Sequence, residues 1–121
     1  MSLSLKKSND DLISESNRIL SKFPDRIPVI ILTKNSKLEK MLKKNKFLVP
    51  YNLTISCLMV NVRKQIKLDS SSALFMFCDN ILLSGTQMLD EIYRNYKNKH
   101  NIHPSDDNFL YITIEEENTF G

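Results

Sequence analysis

The chain has 121 residues, 41% of them hydrophobic and 26% charged, which is the composition of a single soluble globular domain. It lacks an apolar run near the roughly 18 residues that span a bilayer and an apolar secretory signal, so we expect a cytoplasmic protein. The net charge of +3 conceals an asymmetry, because residues 1–67 hold 14 Lys+Arg and 5 Asp+Glu whereas residues 68–121 hold 3 and 9. Such a basic half attracts acidic partners, either nucleic acid or acidic protein segments.

An amphipathic helix is the first predicted element. Residues 1–9 are polar and are expected to be flexible. Apolar residues then recur at helical spacing from about Asp10 to Lys22, and Pro24 ends the pattern. We therefore predict an N-terminal helical segment, 10–25, packed on the core.

Two strands separated by a short helical turn follow. Residues 27–32 are apolar except for Pro28, as in a strand that is covered on both faces. Residues 33–45 are lysine-rich, with a few apolar positions that predict one helical turn. Lys46–Pro50 reads as a short strand that ends at a proline, which cannot donate to a ladder.

Two further helices are indicated by their apolar stripes. Thr54 is a suitable N-cap for a helix whose apolar side chains run from Ile55 to Ile66. Thr86 is predicted to open the last helix, which carries an apolar face as far as Tyr96.

The remaining strands are a hairpin and a terminal strand. Asp79-Asn80 is a tight-turn signal between the strands 73–78 and 81–83. A polar loop, 98–108, leads to a strand over Phe109–Ile114 that is apolar on both faces, so both faces must be covered.

This order of elements predicts the fold class. Strands and helices follow as β–β–helix–β–β–helix–β, which is the order of an α+β, ubiquitin-like β-grasp with an added N-terminal helix. In that fold the first and last strands pair in parallel at the centre of the sheet. We assign the core to residues 26–114 and a flexible C-terminal tail to residues 115–121.

A thiol or metal site is the first function to weigh. Cys57, Cys78, His100 and His103 are the residues for such chemistry, but both cysteines are expected to be buried as small apolar groups, and both histidines fall in a polar loop. No nucleophile or phosphate-binding motif is present, and the sequence has only two glycines. We expect no enzyme, no cofactor and no metal.

The C-terminal residues suggest a different chemistry. Acidic residues follow the last predicted strand, and the sequence then ends in Phe120-Gly121. A glycine carboxylate has no Cβ, so it can thread a narrow enzyme channel and be activated for acyl transfer. One glycine alone does not distinguish this use from an ordinary terminus.

Four segments resemble one family. KFPDRIPVI (22–30), KFLVP (46–50), ALFMFCDN (73–80) and FLYITIEEENTFG (109–121) are similar, in this order, to the autophagy-related protein eight family of ubiquitin-like modifiers. Its animal relatives are the GABA-receptor-associated proteins and the microtubule-associated light chains. The similarity extends from about Glu15 to Gly121.

The resemblance implies a conjugation function at Gly121. Family members are trimmed by a cysteine protease, and activating and conjugating enzymes then pass the exposed glycine to phosphatidylethanolamine. A two-chain lipid provides durable anchoring. The protein is then expected in the cytoplasm and, when lipidated, on autophagosomal membranes.

The resemblance also implies a peptide groove beside the strand 46–50. Peptides of cargo receptors with an acidic flank and an aromatic-x-x-aliphatic core add a strand to that edge. The aromatic pocket would be lined by Glu15, Ile19, Pro28, Ile30, Lys46, Leu48 and Phe109. The aliphatic pocket would use Phe47, Val49, Pro50, Leu53, Leu58 and Asn61, and the acidic flank would meet Arg26, Lys44 and Lys46.

Two positions depart from the family pattern. Asn61 stands where relatives place an apolar residue of the aliphatic pocket, and Gln65 replaces an arginine that helps to hold acidic ligands. Both predict weaker or more selective peptide binding. The competing interpretation is an unconjugated basic ubiquitin-like domain that binds an acidic protein or nucleic acid. Since the aromatic residues lie mostly in strand patterns rather than among the lysines, we expect no nucleic acid.

Overall fold

The computed structural model describes residues 9–117, which form four helices and five strands. In chain order these are α1 Asn9–Lys22, β1 Arg26–Leu32, α2 Ser36–Met41, β2 Lys46–Pro50, α3 Ile55–Gln65, β3 Ala73–Cys78, β4 Ile81–Leu82, α4 Leu89–Lys99 and β5 Leu110–Glu117.

The five strands form one mixed sheet in the order β2-β1-β5-β3-β4. β1 and β5 run parallel at its centre, with Val29 opposite Leu110, while the other neighbours are antiparallel. This arrangement confirms the predicted β-grasp topology. It leaves β2 and β4 at the two edges of the sheet.

One face of the sheet packs against α3 and α4. Alternate residues of the central strands, among them Val29 and Ile112, are fully buried there with Leu58 and Leu89 from the helices. Thr54 caps α3 as predicted, and its hydroxyl accepts a hydrogen bond from the Cys57 amide at 3.3 Å. The period-two alternation of strands thus directs one set of side chains into this core.

The other face of the sheet is covered by α1, and hydrogen bonds to Asn108 hold that helix in place. The buried Ser16 hydroxyl accepts the Asn108 amide at 2.9 Å, and Asn17 accepts from the Asn108 side chain at 3.2 Å. The Tyr93 hydroxyl of α4 donates to the Asn108 carbonyl at 2.6 Å. Asn108 therefore joins α1, α4 and the start of β5.

The hairpin turn is as the sequence predicts. Asp79 and Asn80 both have positive φ, 53° and 66°. Two successive left-handed residues define the turn whose twist matches antiparallel strands, and Asn and Asp tolerate it better than other side chains.

Three predicted boundaries are wrong, the first because Asn9, predicted to be flexible, is the first residue of α1. α4 begins at Leu89 rather than Thr86, because Met88 forms a bridge with Thr54 and keeps the preceding residues out of the helix. β5 begins at Leu110, not Phe109, and continues through Glu117, so residues 115–117 pair with β3 instead of belonging to a tail. The predicted flexible segments otherwise fall on residues 1–8 and 118–121, which lie outside the described part of the chain.

Candidate functional site

β2 is the edge strand on which the predicted groove depends. Within residues 9–117 it has one strand neighbour, β1, so its other side faces no strand. An edge of this kind presents unpaired backbone groups to which an extended peptide can add. β2 is short and keeps its side chains half-buried except for Val49.

The predicted aromatic-pocket residues come together between β2 and α1. Pro28 lies opposite Leu48 and Ile30 opposite Lys46, so these four share the face that α1 covers. Phe109 is buried there, 1% exposed. Glu15 and Ile19 reach the same region from α1, and both are half-buried.

Lys46 lies between α1 and Phe109, among the residues of the predicted aromatic pocket. Its ammonium lies 2.7 Å from Glu15 Oε1 and 5.7 Å from the centre of the Phe109 ring. The two charged side chains keep 28% and 21% of their surface exposed, so solvent screens the pair and its contribution is at most about 1 kcal/mol. An incoming carboxylate can replace Glu15 as the partner of Lys46 at little cost.

The predicted aliphatic-pocket residues divide into floor and rim. Val49 and Leu58 are core residues, 4% and 0% exposed, so a peptide would meet them only as a floor. Phe47, Pro50 and Leu53 are half-buried and can line the sides.

The positions that depart from the family pattern lie on α3. Asn61 is exposed, so its amide is in contact with water in the free protein. Gln65 is half-buried, and its Oε1 is enclosed without a hydrogen-bond partner among the described residues. Of the predicted flank cations, Arg26 and Lys44 are exposed and available to an acidic ligand.

The thiols and histidines do not assemble into a site. Cys78 is buried as predicted, and desolvation, helped by the charge of Asp79, raises its pKa to about 11. The prediction that Cys57 is buried is wrong, because it lies on the exposed face of α3. His100 Nε2 lies 2.8 Å from Asp79 Oδ1, which ties the end of α4 to the hairpin. Across residues 9–117 no three His, Cys, Asp or Glu side chains are placed to hold a metal ion.

Sequence reasoning missed the role of Asn108. It was assigned only to a polar loop, yet it fixes the helix that carries two of the aromatic-pocket residues. Its hydrogen bonds join residues about ninety positions apart, and no local pattern signals them. Within residues 9–117, no helix is both long enough and apolar enough to cross a bilayer.

Comparison with known proteins agrees with this geometry. The family model described as "Autophagy protein Atg8 ubiquitin like" matches residues 12–121. Autophagy-related protein 8h of Arabidopsis thaliana is 40% identical over 115 residues, 94% of this chain and 90% of that protein. Autophagy-related protein 8 of Schizosaccharomyces pombe is 42% identical over 108 residues, 89% of this chain and 84% of that protein.

Solved structures show the same likeness. Trypanosoma brucei ATG8 superposes with a TM-score of 0.78 at 30% identity and covers 100% of this chain and 99% of its own. Plasmodium falciparum Atg8, solved in complex with a Plasmodium falciparum Atg3 peptide, superposes with a TM-score of 0.74 at 26% identity and covers 95% of both chains.

The sheet order and the helix packed on its outer face define a ubiquitin-like protein with an added N-terminal helix. The family match and relatives at about 40% identity make the assignment specific. The chain belongs to the Atg8 family of ubiquitin-like autophagy proteins.

Proposed function

We propose that this protein is a modifier conjugated through Gly121 to phosphatidylethanolamine on autophagosomal membranes, cytoplasmic until that step, and that it is a substrate of enzymes rather than an enzyme. The observation that carries the proposal is that the family match includes Phe120 and Gly121 as well as the folded core. A glycine carboxylate suits adenylate and thioester formation because no side chain hinders its approach to the activating and conjugating enzymes. A processing cysteine protease would act on the same residue.

The edge of β2 is the second part of the proposal. It recruits cargo receptors and conjugation machinery through acidic aromatic-x-x-aliphatic peptides, which add to β2 as a strand. In support, Lys46 sits where a ligand carboxylate can take the place of Glu15, directly above the apolar Phe109 ring. The Plasmodium falciparum relative bound to an Atg3 peptide supports the capacity for peptide binding.

A peptide titration tests this groove. In Lys46→Ala/Leu48→Ala the pocket loses apolar lining and its cation, so affinity for a Glu-rich peptide with a Trp-x-x-Leu core should fall by about tenfold or more. The matched control is Leu82→Ala/Lys99→Ala, which removes an exposed leucine of β4 and an exposed lysine beside the β3–β4 turn, at the opposite edge of the sheet. Calorimetry should show a loss in the first variant alone, and binding in the wild type should weaken with salt. Equal affinity in both double variants would place the groove elsewhere.

A further inference from the structure

A second basic surface lies beyond the Pro50 end of β2, beside α4. An open pocket of about 350 Å³ separates the end of α1, the start of β1 and α4. Arg26, Arg94 and Lys97 line it, together with Asp90. Its other walls are Leu20, Pro24, Ile27, Tyr51 and Tyr93. The pocket therefore combines apolar walls with three cations and one carboxylate.

These cations have no carboxylate partners in the part of the chain that the structure describes. Lys97 instead lies with its ammonium 4.2 Å from the centre of the Tyr93 ring. The undescribed residues 1–8 contain no acidic side chain that could neutralise the pocket. Arg94 and Lys97 are two of the three cations in residues 68–121, a region that otherwise carries nine acids. The positive charge here is thus local and exceeds the single negative charge of Asp90.

The pocket continues into a groove. An adjoining opening of about 500 Å³ shares Leu20 and Lys97 with it and runs between α1 and the loop before β5, past Ser21 and Pro104. Together they provide room for an extended chain rather than for a single small anion.

We propose that this groove binds an acidic segment of a partner protein, with an apolar side chain between Leu20 and Tyr51 and with carboxylates on Arg94 and Lys97. The three cations favour a ligand with acidic side chains. The apolar walls favour a ligand that also has an apolar side chain, which a protein segment has and inorganic phosphate does not. The site does not depend on conjugation through Gly121.

A membrane surface fits this groove less well than a protein does. β5 runs parallel to β1, with Val29 opposite Leu110. Glu117 at the end of β5 is therefore roughly 30 Å from Arg26 along the strand direction, a distance of ten residues in a strand. The groove therefore lies at the opposite end of the sheet from Glu117, the last described residue before Gly121, the proposed site of lipid attachment.

Nuclear magnetic resonance titration tests the proposal on the full chain. The probe is an acetylated, amidated peptide with one leucine flanked by glutamates and no aromatic residue, so that it lacks the pattern for β2. We expect amide shifts around Tyr51, Arg94 and Lys97, and affinity at least tenfold weaker in Arg94→Glu/Lys97→Glu. The control, Lys34→Glu/Lys40→Glu, makes the same charge change near the other end of β1 and should lose less than threefold.

Three results would overturn the proposal. They are shifts confined to the β2 edge, equal losses in the two charge reversals, and no binding by the peptide at low salt. If the peptide does not bind but phosphatidylserine vesicles do, and Arg94→Glu/Lys97→Glu abolishes vesicle binding, the surface is a lipid site and the proposal is wrong. The dispersion of amide chemical shifts in both charge-reversal variants should match the wild type, which shows that the variants are folded. Arg26 is not mutated because it also belongs to the predicted flank contacts of β2. The charge reversal at Arg94 and Lys97 therefore tests this groove separately from the β2 groove, which Lys46→Ala/Leu48→Ala tests.

Discussion

Lys46 takes part in two interactions, an ion pair with Glu15 and a contact above the Phe109 ring. Both partners are supplied by elements other than β2, so the side chain joins α1 and the start of β5 to the edge strand. In the proposed binding mode, a ligand carboxylate would replace Glu15 as the partner of Lys46. Lys46 would then contribute to specificity for acidic flanks.

Asn61 is the residue at which this chain should differ most from its relatives in binding. Its exposed amide would lose water when an aliphatic ligand side chain covers it, and such a loss costs on the order of 1–3 kcal/mol if no partner replaces the water. Asn61→Leu should therefore raise affinity for aromatic-x-x-aliphatic peptides by about tenfold, which corresponds to roughly 1.4 kcal/mol.

The control for this variant is Asn98→Leu, the same change on the exposed side of α4. Calorimetry with one peptide on both variants separates a gain in affinity at the aliphatic pocket from a nonspecific gain caused by any added surface leucine. If Asn61→Leu binds no better than the wild type, Asn61 does not contact the ligand.

At the scale of elements, α1 is held by a few buried polar contacts rather than by a broad apolar face. Ser16 is fully buried, and its hydroxyl accepts the Asn108 amide and donates to the Ile13 carbonyl at 3.2 Å. Since α1 also positions Glu15 and Ile19, the packing of this helix and the shape of the aromatic pocket depend on the same hydrogen bonds.

Ser16→Ala should therefore destabilise the protein. The buried Asn108 amide would lose its acceptor, at a cost of roughly 1–3 kcal/mol, and amides of α1 should exchange faster with solvent. Urea denaturation and hydrogen exchange measure both effects. Ser14→Ala, an exposed change in the same helix, should be neutral or slightly stabilising because alanine is the better helix former. Equal stability of the two variants would mean that Ser16 does not fasten α1.

Element order and the shared face of Pro28, Ile30, Lys46 and Leu48 follow from hydrophobic periodicity, and the central strand pairing follows from the β-grasp order; the register confirms all three. Errors arose where distant contacts override local signals. Thr86 resembles a helix cap, but pairing between Thr54 and Met88 delays α4. Three glutamates resemble a solvated tail, yet they extend β5 against β3. The Glu116 side chain there is only 6% exposed and lies 3.3 Å from Lys37. Neither partner is visible from local sequence.

At the scale of the whole molecule, three proposed functions occupy separate regions. The tail follows β5 at one end of the sheet, the Arg94 groove lies at the other end, and the β2 edge lies along one side. Arg26 is common to the β2 flank contacts and the Arg94 groove, whereas Lys46 and Leu48 belong only to the β2 edge and Arg94 and Lys97 only to the groove. Mutations of residues that belong to one region alone should then leave the other two activities intact.

The conjugation of Gly121 is the central claim, and reconstituted lipidation tests it most directly. The protein is incubated with its matching activating and conjugating enzymes, ATP and phosphatidylethanolamine vesicles, and intact mass is measured. The wild type and Thr119→Ala should gain the mass of the lipid less one water, whereas Gly121→Ala should gain little or none, because a methyl group enters the channel in which the carboxylate is activated. An unmodified wild type, or equal lipidation of Gly121→Ala, would contradict the account.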